Sequence, residues 1–186
     1  MRIIGKPVEI LLVEDNKGDV GLIEEVFEEG KIKNNLHIAE DGEEALLYLR
    51  GEGKFSGSKR PDIILLDLNL PKKDGREVLR EIKEDENFHN IPVIVLTTSD
   101  AEKDILVAYG LRANAYITKP LDFDQFLKVV GSIENFWLGV VKLPTKSNCG
   151  RPPQPKGWGM LMGRPPGYSG TSNSLILRCL DFNLCD

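Results

Sequence analysis

Cysteine is missing from most of this 186-residue sequence, because Cys149, Cys179 and Cys185 all lie beyond residue 148. The preceding residues can therefore form neither a disulfide nor a thiolate metal site. The spacing of the three cysteines also matches no zinc-binding pattern. Disulfide scaffolds and zinc modules are thus excluded for that part of the chain.

Long apolar runs and excess positive charge are missing as well. No stretch of about 18 apolar residues could span a bilayer, and the N-terminus, MRIIGKPVEI, lacks the apolar stretch and cleavage site of a signal peptide. With 24 basic and 29 acidic residues, the formal net charge is -5. We therefore expect a cytoplasmic protein with no membrane segment and no general affinity for nucleic acid.

The composition changes sharply near Lys146. The stretch SNCGRPPQPKGWGMLMGRPPGYSG is rich in proline and glycine, is net basic and has neither helical nor strand periodicity. We predict one domain over residues 1–146 and a tail, residues 147–186, that is disordered or non-native sequence. The apolar segment LILRCLDFNLC leaves some order in the tail open.

Five short apolar runs alternate with five segments of helical periodicity before this boundary. The runs are VEILLV (8–13), NLHIA (35–39), DIILLD (62–67), PVIVLT (92–97) and NAYIT (114–118). The helical segments are residues 18–30, 42–50, 75–85, 101–112 and 123–141. Strict alternation predicts an α/β fold with a parallel sheet and helices on both faces. Runs without polar alternation indicate strands buried on both faces.

Polar residues follow the predicted strands at their carboxyl ends. Glu14 and Asp15 follow the first strand, Asp67 ends the third, Thr97 ends the fourth and Lys119 follows the fifth. Each alone could be a helix cap, a strand residue or a surface charge. Ligand sites of open α/β sheets lie beyond the carboxyl ends of the strands, so a shared site explains the whole group better.

Magnesium-assisted phosphoryl transfer is the chemistry that this group favours. Crowded carboxylates repel one another unless a cation lies between them, and Mg²⁺ prefers oxygen ligands. An aspartate can itself be the nucleophile and form an acyl phosphate. The metal and a lysine then neutralise charge on the transferred group, while a hydroxyl donates to another oxygen. Asp67, directly after a buried run, is the predicted nucleophile.

The motifs VEILLVEDN, PDIILLDLNLPKKDG, PVIVLTTS and NAYITKPLD resemble, in this order and spacing, the receiver domain of two-component response regulators. The stretches KIKNNLHIAEDGEEALLYLR and SIENFWLGVVKLP are similar to stand-alone receivers of the cyanobacterial phytochrome type. The resemblance covers residues 7 to about 144. It implies a doubly wound, flavodoxin-like (CheY-like) sheet with strand order 2-1-3-4-5. It also implies a phosphoacceptor signalling protein, not an enzyme.

The resemblance implies roles for five residues at the strand ends. Asp67 is expected to accept the phosphoryl group, and Lys119 to contact it. Mg²⁺ is expected to bind the carboxylates of Asp15 and Asp67 and the backbone carbonyl of Asn69, with Glu14 acting through water.

Further implied roles concern the switch and the neighbouring loops. Thr97 is expected to be the switch hydroxyl, and Tyr116 the aromatic whose rotamer follows it, although a half-buried strand aromatic is an equally ordinary interpretation. Pro71 and Gly75 are expected to shape the loop after the phosphoacceptor. The family pattern also implies a cis peptide before Pro120, which proline alone tolerates cheaply.

The partners follow from the same resemblance. His37 and His89 fall at no strand end, so we interpret them as surface or packing residues, and the phosphodonor is expected to be a histidine kinase, with a phytochrome-like kinase as one candidate. The family also suggests a homodimer through the face of the fourth helix, fifth strand and fifth helix. Phe136 and Trp137 are adjacent on that helix and point in different directions, so one is available for a neighbour.

Three alternatives come from other classes of protein. A haloacid-dehalogenase-like phosphatase needs a second aspartate two residues after the nucleophile, where Asn69 stands. A flavodoxin-like FMN binder needs a Ser/Thr/Gly-rich phosphate loop, where this chain has the acidic EDNKGD. A pseudo-receiver would bind partners without phosphorylation, and the complete set of Asp15, Asp67, Thr97 and Lys119 argues against it.

Overall fold

The computed structural model describes residues 6–98 and 102–144, so the predicted tail lies outside the described residues. The strands are β1 (Val8–Val13), β2 (Asn34–Ala39), β3 (Ile63–Leu66), β4 (Val93–Thr97) and β5 (Ala115–Thr118). The helices are α1 (Lys17–Glu29), α2 (Gly42–Arg50), α3 (Gly75–Glu84), α4 (Glu102–Gly110) and α5 (Phe123–Ile133). A 3₁₀ turn, Gly53–Phe55, and a π-helical turn, Glu134–Leu138, are also present. Within the described ranges, no helix has the length and apolarity needed to cross a membrane.

The five strands form one parallel sheet of order β2-β1-β3-β4-β5, which confirms the predicted fold. Successive strand residues point to opposite faces. Leu11 and Val13 of β1 join a core cluster with buried residues of α2 and α3, whereas Ile10 and Leu12 join a second cluster with α1 and α5. Both faces of the sheet are therefore covered, which explains why the central strands are apolar without alternation.

Side-chain caps start four of the helices just beyond the carboxyl ends of the strands. Asn16, Asp41, Asp74 and Asp122 accept backbone hydrogen bonds from the first turns of α1, α2, α3 and α5, respectively. Such a cap satisfies N–H groups that have no partner within the helix. The caps thereby place four helix N-termini along the edge at which the polar strand-end residues lie.

The last helix is shorter than its periodicity suggested. The α-helical geometry of α5 ends at Ile133, and the chain continues as the π-helical turn. The carboxylate of Glu134 is buried there and accepts a hydrogen bond from the backbone N–H of Ile32 at 3.3 Å. It also packs directly against Gly30, where an added Cβ would lie 2.2 Å from its Oε1. This contact with the α1–β2 loop is long-range, so local periodicity does not reveal it.

The predicted cis peptide before Pro120 is wrong, because every described peptide bond is trans. The trans isomer of an X–Pro bond is itself favoured by about 0.5–1 kcal/mol. With that isomer, the chain runs from Lys119 to the Asp122 cap of α5, whose side chain accepts from Gln125 N at 2.9 Å. The local sequence therefore makes the β5–α5 connection without the rarer isomer.

A charged cluster at the start of β1 lies far along the strand from Glu14. Glu9 is fully buried, and its carboxylate contacts His37 Nε2 at 2.8 Å, Lys59 Nζ at 2.7 Å and Asn35 Nδ2 at 3.0 Å. Burial would raise the pKa of Glu9, but these hydrogen bonds outweigh it and lower the pKa to about 2. His37 is therefore a packing residue in an ion-pair cluster, as interpreted from the sequence.

We expect Glu9 to make the fold sensitive to acid. Its pKa is 4.5 when unperturbed and about 2 when folded, so the unfolded chain binds more protons between these values. The contribution is complete above pH 4.5 and is lost as pH falls toward 2, by up to about 3 kcal/mol. His37, Lys59, Tyr48 and Asp62 are titratable groups close to it.

Urea unfolding followed by circular dichroism at pH 6 and pH 3 measures this effect. Between the two pH values, Glu9→Gln should lose less stability than the wild type, because its amide does not titrate. The exposed-site variant Glu77→Gln should lose as much as the wild type. Equal losses in all three proteins would contradict the assignment.

Candidate functional site

A buried lysine is the centre of the site at the carboxyl ends of the strands. Lys119 Nζ donates to Asp67 Oδ2 at 2.7 Å, to Asp19 Oδ2 at 2.8 Å and to Glu14 Oε2. Glu14, Asp67 and Lys119 are each more than nine-tenths buried. The structure thus brings together three of the predicted site residues and adds Asp19, which the sequence analysis did not single out.

Extensions of the sheet ladder fix these residues next to one another. The N–H of Asp67 donates to the carbonyl of Val13 at 3.0 Å, just before Glu14, and the N–H of Lys119 donates to the carbonyl of Thr97 at 2.7 Å. The second oxygen of Asp67, Oδ1, accepts from Asn69 N at 2.9 Å. Each carboxylate oxygen of Asp67 therefore has a defined partner.

The pKa values of Glu14 and Lys119 are both raised in the site. Burial raises the pKa of Glu14 to about 7, against the hydrogen bond and charge of Lys119, and the neighbouring Asp67 charge adds to the increase. Burial also disfavours the Lys119 ammonium, but Asp19, Asp67 and Glu14 outweigh it and raise the pKa of Lys119 above its usual range. The lysine therefore stays charged among carboxylates.

The loop after Asp67 approaches the site closely. Gly75 N donates to Leu68 O at 2.9 Å, and a Cβ at Gly75 would lie 2.1 Å from the carbonyl oxygen of Asp67. Lys73 N donates to the carbonyl of Pro71 at 2.7 Å. In this loop Lys72 has a φ of 61°, and its ammonium forms an ion pair with the α2 cap, Asp41.

The predicted switch residues lie on neighbouring strands. Thr97 is fully buried at the end of β4, and Tyr116 of β5 pairs in register with Val95. Since residues two apart point to the same side of a strand, Thr97 and Tyr116 share one face of the sheet. Thr97 Oγ1 accepts from Asn69 Nδ2 at 3.3 Å. The side chain of Asn69 therefore contacts the predicted switch hydroxyl.

The oxygen-rich side chains fit a divalent cation. Among the described residues, no group of three or more His, Cys, Asp or Glu side chains is arranged to hold a metal by itself. Asp15 is exposed beside the buried Glu14, and Asp67 is a further carboxylate at the same edge of the sheet. Because Mg²⁺ keeps several waters and needs only one or two carboxylates, this smaller set is sufficient. The buried acids, with Lys119 as their hydrogen-bonded cation, also leave an excess of negative charge.

Comparisons with known proteins show which family model and which solved structures the chain matches. A family model, the response regulator receiver domain, matches residues 10–131. Response regulator Rcp1 of Synechocystis sp. is 49% identical over 138 residues, which cover 74% of this chain and 94% of Rcp1. The crystal structure of the Mn²⁺-bound form of Rcp1 has a TM-score of 0.73 at 49% identity, covering 75% of this chain and 100% of that one. The crystal structure of the phosphorylated cyanobacterial phytochrome response regulator RcpA gives a TM-score of 0.73, 49% identity and coverages of 75% and 100%.

Proposed function

Because this chain belongs to the response regulator receiver family, we propose that its Asp67 accepts a phosphoryl group from a histidine kinase. The observation that carries the proposal is the buried Lys119 ammonium, 2.7 Å from the Asp67 carboxylate. The phosphorylated state of the similar RcpA supports it. Mass spectrometry of the intact chain after incubation with acetyl phosphate and Mg²⁺ tests it, through the gain of one phosphoryl group.

Each residue of the site has a distinct role in the proposed transfer. The Asp67 carboxylate attacks phosphorus while Asn69 N orients its other oxygen. Lys119 neutralises charge on the phosphoryl oxygens, and the Thr97 hydroxyl donates a hydrogen bond to one of them. Asp15, Asp67 and the Asn69 carbonyl would hold a Mg²⁺ ion, with Glu14 acting through water, and the ion would supply further charge neutralisation.

Family membership supports the receiver interpretation over the aspartyl-phosphatase and flavin-binding alternatives. It implies a signalling partner that is a histidine kinase, and the similarity to a phytochrome response regulator favours a phytochrome-like kinase. A pseudo-receiver would carry the same fold without accepting phosphate, so labelling of Asp67 separates the two. The domain boundary at residue 146 and the cytoplasmic location stay predictions.

Magnesium should stabilise the fold through Asp15. The Mn²⁺-bound form of Rcp1 supports a divalent-ion site, and a ligand that binds only the folded state stabilises it by mass action. At Mg²⁺ concentrations about tenfold above Kd, we expect a melting temperature higher by about 4–6 °C. Differential scanning fluorimetry with and without Mg²⁺ measures the shift.

Asp15→Asn should lose most of this shift, because the exposed carboxylate next to Glu14 is gone. Asp124→Asn removes an exposed acid from the first turn of α5. Mg²⁺ should raise its melting temperature as much as that of the wild type. An undiminished shift in Asp15→Asn would rule out the proposed ligand set.

We also propose a homodimer through the α4-β5-α5 face. Trp137 packs against the core cluster of α1 and α5, whereas Phe136 is 54% exposed and meets the Trp137 ring edge-on at 5.6 Å. The two rings, with Ile117, Val129 and Ile133, line a mainly apolar groove of about 360 Å³. An exposed aromatic beside an apolar groove is suited to a protein partner.

Phe136→Ala should weaken this dimer without reducing phosphorylation of Asp67. Light scattering at increasing protein concentration, with and without beryllofluoride as a phosphoryl mimic, measures the mass. Trp137→Ala should also weaken the dimer, but it removes core packing too, so Phe136 is the cleaner site. Leu47→Ala changes an exposed apolar residue of α2 and serves as the control. A monomeric wild type under both conditions would exclude the dimer.

A further inference from the structure

Lys119 has as many hydrogen-bond donors as it has carboxylate partners. Its ammonium carries three N–H groups, and its three partners come from the end of β1 (Glu14), from α1 (Asp19) and from the end of β3 (Asp67). Only 4% of the lysine side chain is exposed. A buried donor without a partner is costly, so each of these acceptors constrains the direction of the ammonium.

The start of α1 fixes the position of Asp19. Asn16 caps the helix, and its Oδ1 accepts from Gly18 N at 2.9 Å and from Asp19 N at 3.4 Å. Asp19 is therefore held in the first turn, with its carboxylate 2.8 Å from Lys119 Nζ. Its side chain is 24% exposed, so it forms the outer wall of the lysine site.

An acid in the first turn of a helix has an ordinary explanation, because it interacts favourably with the helix dipole. That effect needs no particular side-chain partner. Asp124 lies in the first turn of α5 and is exposed, so an acid at that position does not need a buried partner. Asp19 differs, because it reaches a buried lysine that follows β5, far away in the sequence.

We propose that Asp19 is a positioning residue for Lys119: with Glu14 it holds two of the three ammonium N–H groups, so that the third points at the Asp67 oxygen and then at the phosphoryl group. The inference rests on the proposed function of Asp67. It assigns to α1 a share in the transfer chemistry, in addition to its packing on the sheet.

Asp19 takes no part in bond making. In the transfer from acetyl phosphate, an Asp67 oxygen forms the new bond to phosphorus, the bond from phosphorus to the acetate oxygen breaks, and acetate leaves with the electron pair. Lys119 keeps its proton throughout and moves one N–H to a phosphoryl oxygen. Asp19 and Glu14 keep the other two, so the ammonium does not have to reorganise.

Beryllofluoride binding measures the proposed role. Asp19→Ala should weaken binding by about 3–10-fold, as expected for one partly exposed charged contact. The beryllofluoride affinity of Asp19→Asn should lie between those of the alanine variant and the wild type, because its amide oxygen still accepts a hydrogen bond from Lys119. An acid that acted only by repelling the anion would give the opposite order, with both variants binding more tightly than the wild type, and that order would overturn the proposal.

NMR of the Lys119 ammonium group provides a measurement that a change in the stability of α1 alone would not alter. In the wild type at neutral pH, hindered solvent exchange should leave a ¹⁵Nζ signal for Lys119, and this signal should broaden or vanish in Asp19→Ala. Asp124→Asn should leave both the signal and beryllofluoride affinity unchanged. An Asp19→Ala protein identical to the wild type in both measurements refutes the positioning role alone, whereas a wild type that is not labelled at Asp67 refutes the proposed function.

Discussion

Asp67→Asn should abolish phosphorylation of the chain by acetyl phosphate and Mg²⁺. The substitution keeps the size of the side chain and an oxygen that can accept from Asn69 N, now 2.9 Å from Asp67 Oδ1. It removes the anionic oxygen that Lys119 contacts at 2.7 Å, and a neutral amide is not a nucleophile toward phosphorus. Intact-mass spectrometry should show one added phosphoryl group in the wild type and none in the variant.

The chemistry of the product gives a second criterion. A phosphoryl group on a carboxylate is an acyl phosphate, so hydroxylamine should remove it from the wild type. Asp124→Asn, an equal change of charge on the exposed first turn of α5, should be phosphorylated normally. Equal labelling of Asp67→Asn and the wild type would show that another residue accepts the group.

The fold could be predicted from the sequence because local patterns determine most of it. The run VEILLV corresponds to β1 without correction, and the predicted helix 42–50 corresponds to α2. Strands buried on both faces need continuous apolar residues, and surface helices need amphipathic ones, so both kinds of element are recognisable without knowledge of their neighbours.

The candidate site could be predicted only in part, because some of its contacts are not local. Asp67 and Lys119 follow strands, and strand ends can be located from the sequence. Asp19 lies on a helix, and its role depends on which side of α1 faces a lysine that comes after β5. The Asn69 side chain was missed for a similar reason, since its contact with Thr97 joins two different strand ends. The Asn16 cap was the available signal for Asp19, because it fixes where α1 begins.

These contacts connect the phosphoacceptor to two surfaces of the domain. Lys119 connects Asp67 to α1 through Asp19. Asn69 connects the loop after Asp67 to Thr97, which shares a sheet face with Tyr116. A phosphoryl group on Asp67 that attracted both the lysine and the threonine hydroxyl would therefore act on α1 and on β5 together.

Gly75→Ala should destabilise the domain and slow its phosphorylation. Its Cβ would lie 2.1 Å from the Asp67 carbonyl oxygen and 2.6 Å from Leu68 Cα, both rigid backbone atoms at the end of β3. The chain must move to relieve this overlap, at a cost of about 1–3 kcal/mol in the free energy of unfolding. The movement also displaces Asp67 and Asn69, so the rate of labelling by acetyl phosphate should fall.

Gly21→Ala is the matched control, because it makes the same change where nothing lies within 4 Å of the new Cβ. Gly21 is exposed inside α1, and alanine is favoured over glycine in a helix by about 1 kcal/mol. Urea unfolding should therefore show a gain of stability for Gly21→Ala and a loss for Gly75→Ala. If the two variants change stability in the same direction, close backbone contact is not what requires glycine after Asp74. If Gly75→Ala is destabilised but labelled at the wild-type rate, the α3 N-terminus supports the fold without positioning the phosphoacceptor.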